Sequence, residues 1–336
     1  MRAYKLTRDG DRIRPILTDT PLAPPGPGEV RVRLEAASLN YRDLIVLDGA
    51  GSSGAAGRIP LSDAAGRVEA LGAQVTRWRP GDRVAASFFR DWIKGPFQAE
   101  YLKSALGGSV TDGVLTESII LPEAALVAVP GYLSMIEAAT LPCAAVTAWQ
   151  ALITRGGLAA GGTLLVQGTG GVALFALQFA RSMGARAIVL SSSDAKLDRA
   201  REMGASILIN YRRVPEWDKA VLEATEGKGV DCVLELGGPD TYDRSVRVVA
   251  AGGKIAQIGV LTGFGPQPNL GRLQSMNADI LGITVGSVAH FEAMNHYLEE
   301  KRITPVIDRI FDFEDAADAY DYLRSGAHFG KIVVRI

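Results

Sequence analysis

The sequence predicts an α/β fold: a doubly wound parallel sheet of six strands, preceded by a β-rich segment and followed by a segment that returns to it. Three observations carry this reading. From about residue 125 onward, strand-like and helix-like runs alternate six times. Before that, short alternating stretches are separated by Pro/Gly turns, and after residue 287 a helix pattern and a last strand have no βα partner. The boundaries that follow are 1–124, 125–287 and 288–336.

In the first segment Val30-Arg-Val-Arg-Leu34 alternates with period two after Pro-Pro-Gly-Pro-Gly, and residues 66–71 alternate before the turn Arg79-Pro-Gly-Asp82. Residues 49–60, rich in Gly, Ser and Ala, read as a mobile loop, and 88–118 resist assignment. In the second segment the strand-like runs are 163–167, 187–190, 207–209, 230–235, 254–258 and 280–285, with helix-like runs at 171–183, 194–203, 214–225 and 240–249. That rhythm implies a mostly parallel sheet covered by helices on both faces. Residues 291–301 read as a helix and 331–335 as a strand belonging to the first domain.

The bulk properties exclude several function classes. The 336 residues hold 36 basic and 37 acidic side chains, a net charge of −1 without long runs of one sign, so no broad field favours nucleic acid or anionic lipid. Two cysteines, Cys143 and Cys232, in a chain too large to need stapling are expected as free thiols of a reducing compartment. The N-terminus Met-Arg-Ala-Tyr-Lys-Leu-Thr lacks an apolar signal core, and no uncharged apolar run is long enough to span a bilayer. The expected location is cytoplasmic.

The most informative stretch is Gly168-Thr-Gly-Gly-Val-Ala173, directly after a strand and at the mouth of a helix, a G-x-G-x-x-A pattern of the Rossmann type. Gly168 allows the tight turn, Gly170 lets the backbone approach a pyrophosphate, and Ala173 lets helix and strand pack closely. N–H groups at the helix start face the phosphates, so Gly168, Thr169, Gly170, Gly171 and Val172 are the expected cofactor contacts. In the NAD version an acid at the end of the second strand binds the ribose 2′-hydroxyl. Here that position holds Ser191, followed by Ser192, Ser193 and Lys196. Hydroxyls and a lysine suit a 2′-phosphate that a carboxylate would repel, which predicts NADPH over NADH. Ser193 or Asp194 also reads as a plain helix cap and Lys196 as an exposed helix residue.

By these features the chain resembles the medium-chain dehydrogenase/reductase superfamily over essentially its whole length. The resemblance rests on Gly66, Arg79-Pro-Gly-Asp-Arg-Val84, Leu141-Pro-Cys-Ala-Ala-Val-Thr-Ala-Trp149, the glycine turn and His328-Phe-Gly-Lys-Ile-Val-Val334. It implies a GroES-like catalytic domain, a nucleotide domain and an active site in the cleft between them. The alcohol dehydrogenase branch holds a catalytic zinc at positions that read Asn40, Ser62 and Cys143 here. Zinc wants about four N/S/O ligands, three of them from protein in a catalytic site. One cysteine with Asp63 nearby does not supply them, and the loop that carries a four-cysteine structural zinc in that branch has no cysteine, so no metal is expected.

Without a Lewis acid, reduction of a polarised acceptor is more feasible than oxidation of an unactivated alcohol. Asn40-Tyr-Arg-Asp43 resembles the zinc-independent quinone/enone reductase branch, which implies hydride transfer from NADPH to a quinone or an α,β-unsaturated carbonyl. In that frame Asn40 and Arg42 donate to the substrate oxygen as charge develops, and Tyr41 or water supplies the proton. The same residues also read as a helix start, with Asn40 as cap and Asp43 as the capping-box acid. Thr147 matches a family position on the nicotinamide ribose side, and Tyr211 one near the adenosine phosphate, with Arg212 beside it. Gly237, Gly259 and Val260 end the fourth and fifth strands, where open α/β sheets bind ligands. Lys331, in the closing motif, is a further expected cofactor contact, with His328 close by. Phe88, Phe89 and Trp92 read either as the wall of an apolar acceptor pocket or as core. His290 and His296 read as surface or packing residues. The family also implies a homodimer through the edge strand at 280–285. Two other readings stay open: an NADP-linked alcohol dehydrogenase, and a non-catalytic NADPH-binding sensor.

Overall fold

The computed structural model describes residues 1–10, 12–53, 55–263, 265 and 271–336. These form two compact units, one of Met1–Val146 with Val285–Ile336, the other of Thr147–Thr284. The stretch 126–146, which the change of rhythm at residue 125 assigns to the second segment, belongs to the first unit, because strand Leu126–Ala128 pairs with Arg83–Ala86.

The first unit is built on a seven-stranded sheet whose central strand, Glu29–Leu39, runs antiparallel to Asp63–Leu71 on one side and to the C-terminal strand Lys331–Arg335 on the other. The return of the tail is thereby realised: Ile332 lies opposite Leu39 and Ser38 opposite Asp63. Val30, Val32 and Leu34 point alternately into the core beside Leu121, Val84 and Ile332, as the period-two pattern requires. Residues 49–60 depart from the expected loop, since helix Tyr41–Ser53 runs through the first part of that stretch. Leu44 and Leu47 pack against the core, and that burial outweighs the helix-weakening glycines. Within 88–118 the only regular helix among the described residues is the short turn Ala99–Ser104.

The second unit carries the expected six-stranded parallel sheet, in the order 207–210, 186–191, 163–167, 230–235, 249–257, 279–282. The chain order therefore reverses between Thr163–Gln167 and Val230–Glu235, the switch point at which such sheets bind ligands. Helix Gly171–Ser182 buries Leu174, Phe175, Leu177 and Phe179 and is apolar enough to pack firmly on the sheet. The last strand, Asp279–Gly282, is shorter than 280–285; Val285, at φ +49°, already belongs to the first unit. Both cysteines are free and buried. No helix among the described residues is long and apolar enough to cross a membrane.

Candidate active site

In the first unit three neighbouring strands bring Asn40, Asp63 and Lys331 together at one end of the sheet. Asn40 follows the central strand, Lys331 begins the strand on one side and Asp63 begins the strand on the other. Lys331 is 2% exposed, and its Nζ donates to Leu39 O and to Asn40 Oδ1, both at 2.6 Å, with Asp63 Oδ2 at 4.0 Å. Asp63 is fully buried and also accepts from Ser62 Oγ at 2.6 Å and from the Cys143 backbone N–H at 3.0 Å. Asn40, Ser62 and Cys143 thus converge on a single ion pair.

Burial pushes the Asp63 carboxyl up and the Lys331 ammonium down, while each charge pulls the other back toward its ordinary range. Burial also raises the Cys143 thiol far above a free thiol, and the nearby Asp63 adds to this, so the sulfur is held protonated. Asn40 Nδ2 sits on the Asp63 side of the amide and helps hold that carboxyl down, but it is buried and completes no hydrogen bond.

Asp43 takes the capping role: the Asn40 N–H donates to its Oδ2 at 2.7 Å. Its other oxygen is buried without a hydrogen-bond partner, and burial pushes the carboxyl up to about 6 against the pull of Arg42, whose Nη1 stands 3.6 Å away. Arg42 donates to Leu106 O at 3.1 Å and lays its guanidinium 4.7 Å from the Phe88 ring centre. Tyr41 points outward at 42% exposure. Phe88, Phe89 and Trp92 are buried in an aromatic cluster that Phe97 and Tyr101 complete, so they serve as core whatever else they line. His290 closes a helix cap by accepting from the Ser287 N–H.

In the second unit Gly168 adopts φ +82°, a conformation that favours glycine, and a Cβ added to Gly170 would meet nothing within 4 Å. Gly170 precedes helix Gly171–Ser182 without a side-chain cap, leaving first-turn N–H groups beside a backbone that a phosphate can approach closely. The residues present therefore fit a dinucleotide. Gly237 and Gly259 are glycine for a different reason: a Cβ would lie 2.4 Å from Thr241 Oγ1 in the first case and 2.0 Å from Leu236 O in the second. Their loops are tied together by Thr262, whose N–H donates to Gly237 O at 2.9 Å, which brings Gly237, Gly259 and Val260 to one place. Thr147 is 3% exposed.

The strand pairing Asn210 to Ser191 places the Tyr211 loop beside the serines, and the Tyr211 N–H donates to Ser191 O. Ser193 caps helix Asp194–Glu202 by accepting from the Lys196 N–H, so the cap reading of Ser193 holds. Asp194, the nearest carboxylate, is occupied by Asn210 Nδ2 at 2.7 Å and by Arg213. Lys331, expected as a cofactor contact, belongs to the first unit, where its ammonium donates to Leu39 O and Asn40 Oδ1.

Sequence reasoning missed the buried carboxylate beneath the glycine cradle. Glu235 is fully buried and accepts from Gln167 Nε2 at 2.9 Å, Thr241 Oγ1 at 2.6 Å, Ser245 Oγ, and the Gly237 and Gly238 N–H groups at 2.9 Å each. Gln167 Oε1 in turn accepts from Leu236 and Gly237 N–H groups. A weak signal existed: each residue is a polar strand end directly after three apolar strand residues, Leu164–Val166 and Cys232–Leu234, and the pairing Leu234–Val166 aligns them.

Residues 26–131 match the alcohol dehydrogenase GroES-like domain and residues 171–300 the zinc-binding dehydrogenase family. A zinc-type alcohol dehydrogenase-like protein of Schizosaccharomyces pombe is 44% identical over 92% of this chain and 91% of its own. A quinone oxidoreductase of Pseudomonas aeruginosa is 32% identical over 93% of this chain and 92% of its own. A solved Sinorhizobium meliloti structure described as an alcohol dehydrogenase superposes with a TM-score of 0.93 at 40% identity, covering 100% of this chain and 98% of that one. The zinc ion these names imply does not fit the residues here. Among the described residues no three His, Cys, Asp or Glu side chains stand where they could hold a metal, and Lys331 already places a positive charge beside Asp63.

Proposed function

This chain belongs to the medium-chain dehydrogenase/reductase superfamily and is an oxidoreductase, and from that premise we propose that it is a metal-free, NADPH-dependent reductase of quinones or α,β-unsaturated carbonyls. The observation that carries the reading is the donor set of the first unit: an amide donor without a partner beside an ammonium, with no set of metal ligands among the described residues. A buried donor left unmade costs about 1–3 kcal/mol, a cost that a substrate oxygen would remove.

NADPH, when bound, would supply the hydride, and the Asn40 Nδ2 group donates to the negative charge that grows on the acceptor oxygen. Arg42, anchored on Leu106 and Phe88, adds positive potential, and Tyr41 or water returns the proton that completes the reduction. On the nucleotide unit the cradle Gly168–Val172 takes the pyrophosphate, with Thr147, Gly237, Gly259 and Val260 as further cofactor contacts. Ser191, Ser192, Lys196 and Tyr211 face the 2′-phosphate. The occupation of Asp194 by Asn210 and Arg213 supports this choice, because its carboxylate is then neutralised. The exposed edge strand Asp279–Gly282, with Ile280 at 41% exposure, is the proposed homodimer contact.

The test is NADPH oxidation by tag-free protein against a panel of quinones, enones and activated alcohols with their NADP-linked oxidation, with zinc measured on the same sample. Turnover with quinones or enones and less than stoichiometric zinc is expected. Stoichiometric zinc with alcohol oxidation, or cofactor binding without any turnover, overturns the reading. Ser191→Asp is expected to lower the NADPH-over-NADH preference by at least about tenfold in kcat/KM, through repulsion of the 2′-phosphate; an unchanged ratio removes Ser191 from the site.

A further inference from the structure

We propose that Lys331 is the resident cation of the first unit's site and its positioning residue: the buried ammonium holds the carbonyl end of the Asn40 amide, so that the NH2 end is presented as the donor on the Asp63 side, and it balances Asp63 in place of a metal ion. The inference rests on Asn40 being the donor of the proposed reaction.

The placement begins in the backbone. Ile332 lies opposite Leu39, so the residue before it meets the residue after Leu39 across the strand pair. Gly330 delivers it: its φ is +94° and a Cβ there would lie 2.4 Å from Val306 O, so the chain presses against Val306 while the Lys331 N–H donates to that same carbonyl at 2.9 Å. The side chain then enters a space where it is 2% exposed.

The chemistry of the two groups decides the orientation of the amide. An ammonium has three donors and no acceptor, so the Asn40 atom 2.6 Å from Nζ must be the carbonyl oxygen. A carboxylate has only acceptors, so the atom facing Asp63 must be the amide nitrogen. Cation and anion at opposite ends enforce one and the same orientation. Two of the three ammonium protons are used by Leu39 O and Asn40 Oδ1, and Asp63 at 4.0 Å supplies the balancing charge. Neutralising the lysine would remove the contact that holds Oδ1 and would leave Asp63 as an uncompensated buried charge.

Three enzymes are compared with the wild type: Lys331→Met, Lys331→Met/Asp63→Asn and Asn40→Ala. Lys331→Met is expected to melt lower, and adding Asp63→Asn to recover most of that loss, because the double variant buries no unpaired charge. Both should bind NADPH as the wild type does by cofactor fluorescence, yet turn over with a kcat at least about tenfold lower, since the amide is no longer held as an oriented donor. A double variant with wild-type kcat overturns the inference. If Asn40→Ala also keeps wild-type kcat, or the wild type reduces no acceptor, it is the proposed function that has failed. The melting series then still judges the resident cation, and equal melting of Lys331→Met and wild type overturns it. A 15N spectrum of the wild type decides the matter even if neither lysine variant folds. Lys331 Nζ is expected as a slowly exchanging ammonium, and a neutral amine overturns the proposal.

Discussion

Each unit buries a carboxylate at the end of its sheet, and the two are satisfied in opposite ways. Glu235 in the nucleotide unit accepts from five neutral donors, and Gln167 beside it is also used at both ends. Asp63 in the first unit has two hydrogen-bond donors and an ammonium 4.0 Å away, and its neighbour Asn40 keeps a donor without a partner. A closed network rigidifies: it locks the loop at Gly237 beside the glycine cradle. An open one stores a demand that a ligand can meet. The difference teaches where to look for chemistry in each unit: on top of the Glu235 network, but inside the Asp63 cluster.

Removing the closed network should have the largest effect. Glu235→Ala leaves Gln167, Thr241, Ser245 and two N–H groups without their acceptor and is expected to destabilise the protein by about 3–5 kcal/mol. Denaturant unfolding measures this; a loss below about 1 kcal/mol would mean that the network is not the scaffold of the cradle. The open cluster should answer differently. Asn40→Ala is expected to lower kcat by about 100-fold, the loss typical of one missing oxyanion donor, while the stability loss stays within about 1–3 kcal/mol, that of the Oδ1 acceptor taken from Lys331. A stability loss larger than the rate loss would erase the contrast between the two regions.

The third prediction sharpens the comparison through pH. The Asp43 carboxyl titrates near its ordinary 3.8 when unfolded and at about 6 when folded, because burial disfavours its charge. Between those pH values the folded state holds the extra proton, so raising pH through this window lowers stability, and above it the cost is fully present. Asp43→Asn removes the titration. Its stability relative to wild type should rise between about pH 4 and 6, by at most about 3 kcal/mol. A difference that is flat with pH means that Arg42 keeps Asp43 ionised throughout.

Much of the fold was legible because it rests on periodicity. The six strands of the nucleotide sheet, the helix after the glycine turn and the C-terminal strand all appear where alternating or helical patterns place them, within a few residues. Helix Tyr41–Ser53 was not fully legible, since two glycines and two serines among its last six residues, Asp-Gly-Ala-Gly-Ser-Ser, weaken its helical preference. Of the candidate site, the glycine cradle was visible because a left-handed turn leaves a compositional mark at Gly168. The role of Lys331 left none, as its partners are far away in the chain, and that of Glu235 left only a polar strand end.

The sequence by itself determined the two-unit organisation, the sheet class, the glycine turn and the absence of the usual metal-ligand residue types at Asn40 and Ser62. Those are properties of residue type and short-range spacing. Only the tertiary structure decided that the Lys331 ammonium meets Asn40, that Asp194 is occupied by Asn210 and Arg213, and that Gln167 and Glu235 meet beneath the cradle. Each of these depends on which strands lie side by side. Lys331 and Asn40 are 291 positions apart and become neighbours through one strand pairing, and hydrogen-bond chemistry acts over a few ångströms whatever the separation along the chain.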